Sequence, residues 1–516
     1  MNENIFTMSK NGVSEYCCTV VRIGEVLPIE GSDFLGQTLI FGESIVVRKD
    51  SIKEGDLVFY ATNETQLNKK FLSVNNLFEI GERNLNSNYE TVEKLMQENR
   101  VDEAKSLVGF FNKHGRVKSI RLRGIVSMGF VFKQEELVRY NPKVADVDLE
   151  SIIGVDFDTI NGELFVKAYV KPLPEKRKRS NVNKADKKIK KFNRMIPGQF
   201  SFHYDTNPLQ KNIHRIKPTD IVTISLKEHG TSAIFSNILT KKPIKLSLVD
   251  KIFNKKYRNE IKNVIQKSKN NYVLKQNKED KISELRKHIK PNFVVGYGNV
   301  YASRKIIKNE TINQNVGKGY YKSDVWGYYN KLIEKYISKG MTLYGEILGY
   351  VPETNTPIQV AYDYGCKSGE SYLMPYRITT VENGKKKEWN VEDVYKWTVQ
   401  LLKEVPSLKQ NVKPIKILYH GTLKDLYPEI STTEHWHDNV LQAMKKDKEH
   451  FAMEENEPFC KNKVPREGLC IRIDNDEIAE CFKLKCQRFI DEESKKIDKG
   501  NIDIEMEQAY CNNEEN

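Results

Sequence analysis

The sequence has few cysteines for its length, and their spacing fits neither a disulfide framework nor a zinc site. Eight cysteines occur in 516 residues, and no Cys-x-x-Cys pair is among them. Structural zinc sites usually contain such pairs, and small secreted domains are dense in disulfides. Both classes are therefore disfavoured, and the cysteine usage is typical of a reducing compartment.

Long hydrophobic runs are also missing. No stretch approaches the roughly 18 apolar residues of a membrane-spanning helix, and the start MNENIFTMSKNG lacks the charged-then-apolar layout of a secretion signal. We therefore expect a cytoplasmic protein (in the host cytoplasm if the chain is viral) with no membrane partner. No obligate protein partner is evident either.

Negative charge is the scarcer sign, with 70 Asp and Glu against 83 Lys and Arg. The basic excess is local: residues 174–191 carry nine basic and two acidic side chains, and residues 251–290 carry thirteen and four. Such clusters fit a partner with a phosphate backbone. The alternative for each is a solvated linker or helix face.

The length predicts more than one domain, and the hydrophobic pattern suggests where they lie. Short strand-like segments recur at CCTVVRIG, TLIFGESIVVR and DLVFYAT, and again around Gly124. We predict an OB-like β-barrel that binds nucleic acid over 1–173, with a β-module used only for protein contacts as the alternative. A basic linker (174–191), an α+β domain with antiparallel sheets (192–490) containing a basic insert (238–291), and an acidic tail (491–516) are predicted to follow. The insert would either clamp duplex backbone or form a surface excursion.

Five short charged signatures occur on or beside apolar strands of the second domain. They are KEHG at Lys227, SRK at 303–305, YGE at 344–346, EGLCIRI beginning at Glu467, and KLK at 483–485. Each is weak evidence alone, because a chain with 83 basic residues contains many similar tetrapeptides. Their order resembles motifs I, Ia, III, IV and V of the covalent nucleotidyltransferases, the superfamily of polynucleotide ligases and mRNA capping enzymes.

Most of residues 15–135 is similar to the amino-terminal module of the two-domain, Deinococcus-type RNA ligases. The resemblance implies an ATP-dependent RNA ligase that seals 3′-OH/5′-phosphate nicks through lysyl-AMP and an adenylated polynucleotide. The expected partner is nicked duplex RNA or an RNA/DNA hybrid with RNA at the 3′-OH side, and the expected cofactors are ATP and Mg²⁺ or Mn²⁺. It also implies Lys227 as the nucleophile and Glu467 and Glu346 as metal ligands. The remaining implied contacts are to the nucleotide: His229, Gly230, Arg304, Tyr344, Glu346, Arg377, Lys483 and Lys485.

A free lysine is almost wholly protonated at neutral pH and cannot attack phosphorus. Lys483 and Lys485 alternate with Leu484, so a strand would place both amines on one face, where their charge should lower the pKa of Lys227. One departure from the superfamily pattern is His229, which stands where most members have Asp. Another is the 76-residue separation of Lys227 from Ser303.

Two other functions compete with ligation. A GTP-dependent capping guanylyltransferase shares the motifs but normally carries its OB-type domain after the catalytic domain. A nucleic-acid-binding protein with an inactive transferase fold is the non-enzymatic alternative. The presence of Lys227, Glu346, Glu467, Lys483 and Lys485 argues against the second.

Overall fold

The computed structural model describes residues 5–499 except 11, 13, 171–191, 204–205, 269–277, 313–320, 322, 353, 383, 435 and 476–478. The predicted basic linker and the end of the predicted acidic tail lie outside the described residues. The chain divides into two units. The first contains Met1–Lys178, Asp205–His229 and Ile415–Glu507, and the second contains Arg179–Tyr204, Gly230–Pro414 and Gln508–Asn516.

The described strands, in chain order, are β1 (Phe6–Thr7), β2 (Cys18–Arg22), β3 (Leu27–Pro28), β4 (Leu35–Ile40), β5 (Glu43–Arg48), β6 (Leu57–Ala61), β7 (Thr65–Leu67), β8 (Ile120–Leu122), β9 (Ile125–Ser127), β10 (Phe130–Phe132), β11 (Asp156–Phe157), β12 (Thr159–Ile160), β13 (Glu163–Leu164), β14 (Val166–Ala168), β15 (Phe192–Asn193), β16 (Asn207–Pro208), β17 (Ile221–Lys227), β18 (Thr231–Pro243), β19 (Phe293–Ser303), β20 (Thr311–Ile312), β21 (Met341–Gly349), β22 (Ser371–Glu382), β23 (Lys385–Glu388), β24 (Ile417–Thr422), β25 (Gly468–Ile473) and β26 (Glu480–Lys485).

The described α-helices are α1 (Lys69–Val74), α2 (Tyr89–Gln97), α3 (Val101–Ser106), α4 (Gln134–Tyr140), α5 (Leu209–Asn212), α6 (Leu248–Lys267), α7 (Lys278–Lys287), α8 (Val325–Ile333), α9 (Val391–Glu404), α10 (Leu423–Leu426), α11 (Trp436–Lys446) and α12 (Gln487–Asp498). Among these described helices, none combines the length and the apolar character needed to cross a bilayer.

The amino-terminal part of the first unit is a set of small antiparallel sheets around an aromatic core. Its largest sheet has the order β10-β6-β2-β11. Phe6, Phe59 and Phe157 pack against one another with ring centroids 4.5 to 5.8 Å apart, and Phe132 stacks on Phe59 at 5.4 Å. The pairings of the described strands do not close into one barrel, so the OB-like layout stays a prediction.

The other sheet of the first unit has the order β16-β26-β25-β17-β24 and separates an apolar face from a polar one. Alternation along β17 directs Val222, Ile224 and Leu226 into a core that also contains residues of β25 and β26. Successive side chains of a strand point to opposite faces, so the residues between these three belong to the other face. Lys227, the last residue of β17, is on that polar face.

The second unit is built on a five-stranded antiparallel sheet with the order β19-β18-β21-β22-β23, and α9 packs against β22. Strand β19 pairs with β18 along its whole length, from Ser303 opposite Ala233 to Phe293 opposite Pro243. Helices α6 and α7 lie between these strands in the sequence, within the predicted insert. The mixed α/β architecture with antiparallel sheets is confirmed.

Gly468 begins β25 at a position where a side chain has no room. Its φ is +149°, and a Cβ there would lie 2.1 Å from the carbonyl oxygen of Leu484 on β26. Heavy atoms do not approach this closely, so any larger residue must move one strand relative to the other. Glycine therefore keeps β25 and β26 in register beside Lys227.

We expect Gly468→Ala to lower the stability of the first unit by about 2 to 4 kcal/mol, because it adds a steric clash to backbone strain. Urea unfolding checks this. Gly55→Ala is the matched control: Gly55 also has a positive φ, +85°, but a Cβ added there would meet nothing within 4 Å. Equal losses for the two variants would show that the close approach to Leu484 is unimportant.

Candidate active site

The register of three neighbouring strands brings the motif lysines onto one face of a sheet. Lys227 on β17 lies opposite Gly468 on β25, and Gly468 lies opposite Lys485 on β26. Lys483 lies opposite Cys470 in the same sheet. Residues directly opposite each other in an antiparallel pair share a face. Lys227, Lys483 and Lys485 therefore line the polar face, with no side chain on Gly468 to separate Lys227 from Lys485.

Glu467, immediately before β25, is the direct partner of Lys227. The Nζ atom of Lys227 lies 2.6 Å from Oε1 of Glu467, and the two side chains are 26% and 7% exposed. Burial alone would raise the pKa of Glu467, but the attraction of Lys227 and Lys485 lowers it below its usual value. Glu467 is thus a buried carboxylate that stays ionised, next to the predicted nucleophile.

His229 lies on the other side of Glu467. Its Nδ1 atom is 3.7 Å from Oε2 of Glu467, and its ring packs edge-on against Phe489 of α12, with centroids 5.0 Å apart. Burial lowers the pKa of His229 despite the two nearby carboxylates, Glu467 and Glu493. The imidazole is therefore neutral at neutral pH and does not supply the negative charge that an aspartate would have at this position.

The lysine pair of β26 binds a carboxylate from the amino-terminal segment. Lys483 donates a hydrogen bond to Oε2 of Glu15 at 2.5 Å, and Nζ of Lys485 lies 3.4 Å from Oε1. Burial lowers the pKa of Lys483, whereas Glu15 and Glu467 outweigh burial and raise that of Lys485. From the sequence, the positive charge of these lysines was expected to lower the pKa of Lys227. In the structure, the carboxylate of Glu15 offsets part of that charge.

A second group of predicted residues lies in the second unit, around Tyr344 on β21. Arg377 is opposite Tyr344 on β22, and its guanidinium lies 4.6 Å from the centre of the tyrosine ring. Nη2 of Arg377 donates to Oε2 of Glu388 at 2.8 Å, and these two side chains are 3% and 2% exposed. Tyr344 is fully buried, and its hydroxyl donates to the carbonyl of Ser201 at 3.0 Å. One face of the aromatic ring expected to stack on adenine is thus covered by a cation.

Glu346, two residues further along β21, contacts the backbone of Gly230. The amide of Gly230 donates to Oε1 of Glu346 at 3.2 Å, and a Cβ on Gly230 would lie 2.4 Å from the carbonyl oxygen of Ile347. Glu346, Arg377 and Arg304 all act electrostatically on the hydroxyl of the partly buried Tyr376. Arg304 is therefore close to the other predicted nucleotide contacts of this unit.

Several residues at these two groups carried no sequence signal. Glu15 lies 468 positions before Lys483, outside every motif, and Phe489 and Glu493 belong to α12, which extends into the predicted acidic tail. Glu388 is the buried partner of Arg377, yet it stands in a run of lysines, KKKE, that resembles a solvent-exposed turn. Only the hairpin register of β22 and β23 reveals it.

The carboxylates of Glu467 and Glu346 fit a divalent cation only if water and substrate phosphates complete its coordination, as is typical of Mg²⁺. Among the described residues no three His, Cys, Asp or Glu side chains form a cluster that could hold a metal by themselves. Mg²⁺ often binds through one or two carboxylates together with water and substrate phosphates. Glu467 and Glu346, each a carboxylate in its own unit, are compatible with that mode.

Comparisons with known proteins give distant similarities. No protein-family model and no curated protein matches the sequence. Among solved structures, an RNA ligase of Naegleria gruberi with PPi has 14% sequence identity, covers 93% of this chain and 98% of its own, and gives a TM-score of 0.47. A mutant of that ligase with ATP and Mn has 16% sequence identity, covers 93% of this chain and 98% of its own, and gives a TM-score of 0.48. A mutant with AMP and Mn has 16% sequence identity, covers 92% of this chain and 98% of its own, and gives a TM-score of 0.47. At such identities and TM-scores, function has to be inferred from the side chains of this chain.

We expect Glu388→Gln to destabilise the second unit by about 3 kcal/mol, because it leaves the buried charge of Arg377 without its counter-ion. Urea unfolding measures this. Glu392→Gln is the control: Glu392 pairs with Lys396 at 2.8 Å, but both side chains are about two-thirds exposed, so no measurable change is expected. Unchanged stability of Glu388→Gln would contradict the importance of the buried pair.

Proposed function

We propose that the chain is an ATP-dependent RNA ligase that works through a covalent lysyl-AMP intermediate. The observation that carries the proposal is the polar face of one sheet, where Lys227 is 2.6 Å from the buried Glu467 and shares the face with Lys483 and Lys485. A nucleophilic amine, an ionised carboxylate and two further cations are what nucleotidyl transfer requires.

In the first step, Nζ of Lys227 attacks the α-phosphorus of ATP. A P–N bond forms, the P–O bond to pyrophosphate breaks, and pyrophosphate leaves with the bonding electrons while the amine loses a proton. An oxygen of the nick's 5′-phosphate then attacks the same phosphorus, a phosphoanhydride bond forms and the P–N bond breaks, so that Lys227 leaves as an amine that takes up a proton. Finally the 3′-OH attacks the 5′-phosphorus, a phosphodiester bond forms and AMP leaves. Lys483 and Lys485 are proposed to bind the phosphate oxygens, on which negative charge is concentrated.

The ion pair with Glu467 constrains the first step. A carboxylate next to an amine favours the ammonium form, and an ammonium has no lone pair for attack. Glu467 must therefore separate from Lys227, or accept its proton, before the P–N bond forms. Glu467 and Glu346 are the proposed ligands of Mg²⁺ or Mn²⁺. A divalent cation bound there would neutralise negative charge on the phosphates.

The residues of the second unit are proposed to bind the nucleoside. Tyr344 is fully buried, so it would stack on adenine only after side chains that cover its ring, Arg377 among them, move away. Arg304, Arg377 and Glu346 would contact sugar or phosphate, and Gly230 would allow the backbone to approach. His229 is neutral and adjoins Glu467, so it would act by positioning that carboxylate.

The polynucleotide is proposed to be a nicked duplex with RNA at the 3′-OH side. The basic segments at 174–191 and 251–290 fit a phosphate backbone, and the amino-terminal residues, proposed to have an OB-like fold, would provide further contacts. A 2′-OH is the group by which a protein distinguishes RNA from DNA at a given position.

Lys227→Ala should abolish formation of the protein–AMP adduct and reduce sealing at least about 10³-fold, because it removes the nucleophile. Incubation with ATP or GTP labelled at the α-phosphate, followed by a denaturing gel, measures the adduct. Lys446→Ala, on the exposed end of α11, is the control and should label normally. Label on Lys227→Ala would place the nucleophile elsewhere, and labelling of the native chain by GTP alone would identify a capping-type enzyme.

Nicks that are already adenylated should be sealed at least about tenfold faster with RNA than with DNA at the 3′-OH side, because the proposed contacts include the 2′-OH. Single-turnover sealing of four nicks, with RNA or DNA on each side, measures the preference. Changing the 5′-phosphate strand is the control and should have a smaller effect. Equal rates on all four nicks would contradict the proposed substrate.

A further inference from the structure

Glu15 meets the lysine pair of β26 in the way a bound oxyanion would. Its two carboxylate oxygens are divided between two amines, with Oε2 2.5 Å from Lys483 and Oε1 3.4 Å from Lys485. The side chain of Lys483 is 8% exposed and that of Glu15 is 24% exposed. Lysines bind phosphate as compact positive charges, so a carboxylate and a phosphate compete for the same two ammonium groups.

The carboxylate of Glu15 is ionised and strongly attracted to the two lysines. Burial alone would raise the pKa of Glu15, but Lys485 and Lys483 lower it to about 2. The pair nevertheless carries more positive charge than one carboxylate neutralises. The site therefore attracts anions even with Glu15 in place, and a group with more negative charge than a carboxylate can displace it.

Glu15 is held in place by contacts of its own backbone. Its carbonyl accepts a hydrogen bond from Oγ1 of Thr62 at 2.8 Å, and the same hydroxyl oxygen accepts one from the amide of Cys17 at 3.2 Å. Thr62, which follows β6, is buried. The backbone at Glu15 is thus fixed, and only its side chain needs to rotate to leave the lysines.

We propose that Glu15 is an intramolecular competitor of phosphate, which occupies Lys483 and Lys485 until a phosphate group of the nucleotide or of the nick displaces it. This inference rests on the proposed function, because that function assigns phosphate to the two lysines. The apparent affinity for phosphate is then lower than the intrinsic affinity by the fraction of molecules in which Glu15 has left. Glu15 would also keep the two lysine charges from repelling each other in the free protein.

The full-length Glu15→Gln variant tests the proposal, with pyrophosphate as the probe and isothermal titration calorimetry as the measurement. We expect its dissociation constant for pyrophosphate to fall about three- to tenfold. Glu43→Gln is the matched control, because Glu43 is another carboxylate of the amino-terminal segment that pairs with a lysine, Lys445, at 3.2 Å. An unchanged or weaker affinity of folded Glu15→Gln, or an equal gain in Glu43→Gln, would overturn the proposal.

Two further variants locate the effect and guard against misfolding. Adding Lys483→Gln to Glu15→Gln should remove the gain in affinity, and a gain that persists would show that pyrophosphate binds elsewhere. If Glu15→Gln does not fold, Glu15→Asp keeps the charge but shortens the side chain, and should raise pyrophosphate affinity about twofold. Native affinity of that variant would then overturn the proposal.

Catalytic measurements separate this inference from the proposed function. In Glu15→Gln the KM for ATP in adduct formation should fall while kcat does not rise, whereas loss of a merely structural ion pair would lower stability without lowering KM. The calorimetric measurement needs no turnover. A gain in pyrophosphate affinity in a chain that forms no adduct would therefore support competition by Glu15 and contradict the proposed ligase function. Adduct formation without a gain in pyrophosphate affinity would support the ligase function and contradict competition by Glu15.

Discussion

Three lysines on one face of a sheet repel one another, and the arrangement depends on the two carboxylates that meet them. Glu467 binds Lys227, and Glu15 binds Lys483 and Lys485. Concentrated positive charge attracts phosphate, but in the absence of phosphate it needs internal anions to remain folded. Under the proposed function, these ion pairs are therefore the ones that must be exchanged when a nucleotide binds.

The sequence could predict the lysines and Glu467, but not Glu15, which pairs with two of the lysines. Lys483 and Lys485 flank Leu484, and the structure has Leu484 in the core with the two lysines on the opposite face, as period-two alternation requires. Glu15 could not be found in this way, because strand periodicity contains no information about a residue 468 positions away. The same limit applies to Arg377, since its burial and its contact with Tyr344 follow from pairing between β21 and β22.

Strand positions were more predictable than sheet arrangement. Segments such as DLVFYAT and GLCIRI indicated β6 and β25 from local composition alone. How strands combine depends on long-range pairing: the amino-terminal strands form several small sheets, and β16 pairs with β26, its neighbour in space though far from it in sequence. The ion pair of Lys227 with Glu467 also depends on such pairing, because the register of β17 and β25 brings the two residues together.

The first unit is assembled from three separate stretches of chain, and β17 lies in the middle stretch while its sheet neighbours β24 and β25 lie in the last. During synthesis, the strand that ends in Lys227 therefore waits for nearly 200 further residues before its neighbours exist. Loop-closure entropy makes such long-range pairing slow. Until then β17 is unpaired and apolar along one face, so the nascent chain needs protection from aggregation at this segment.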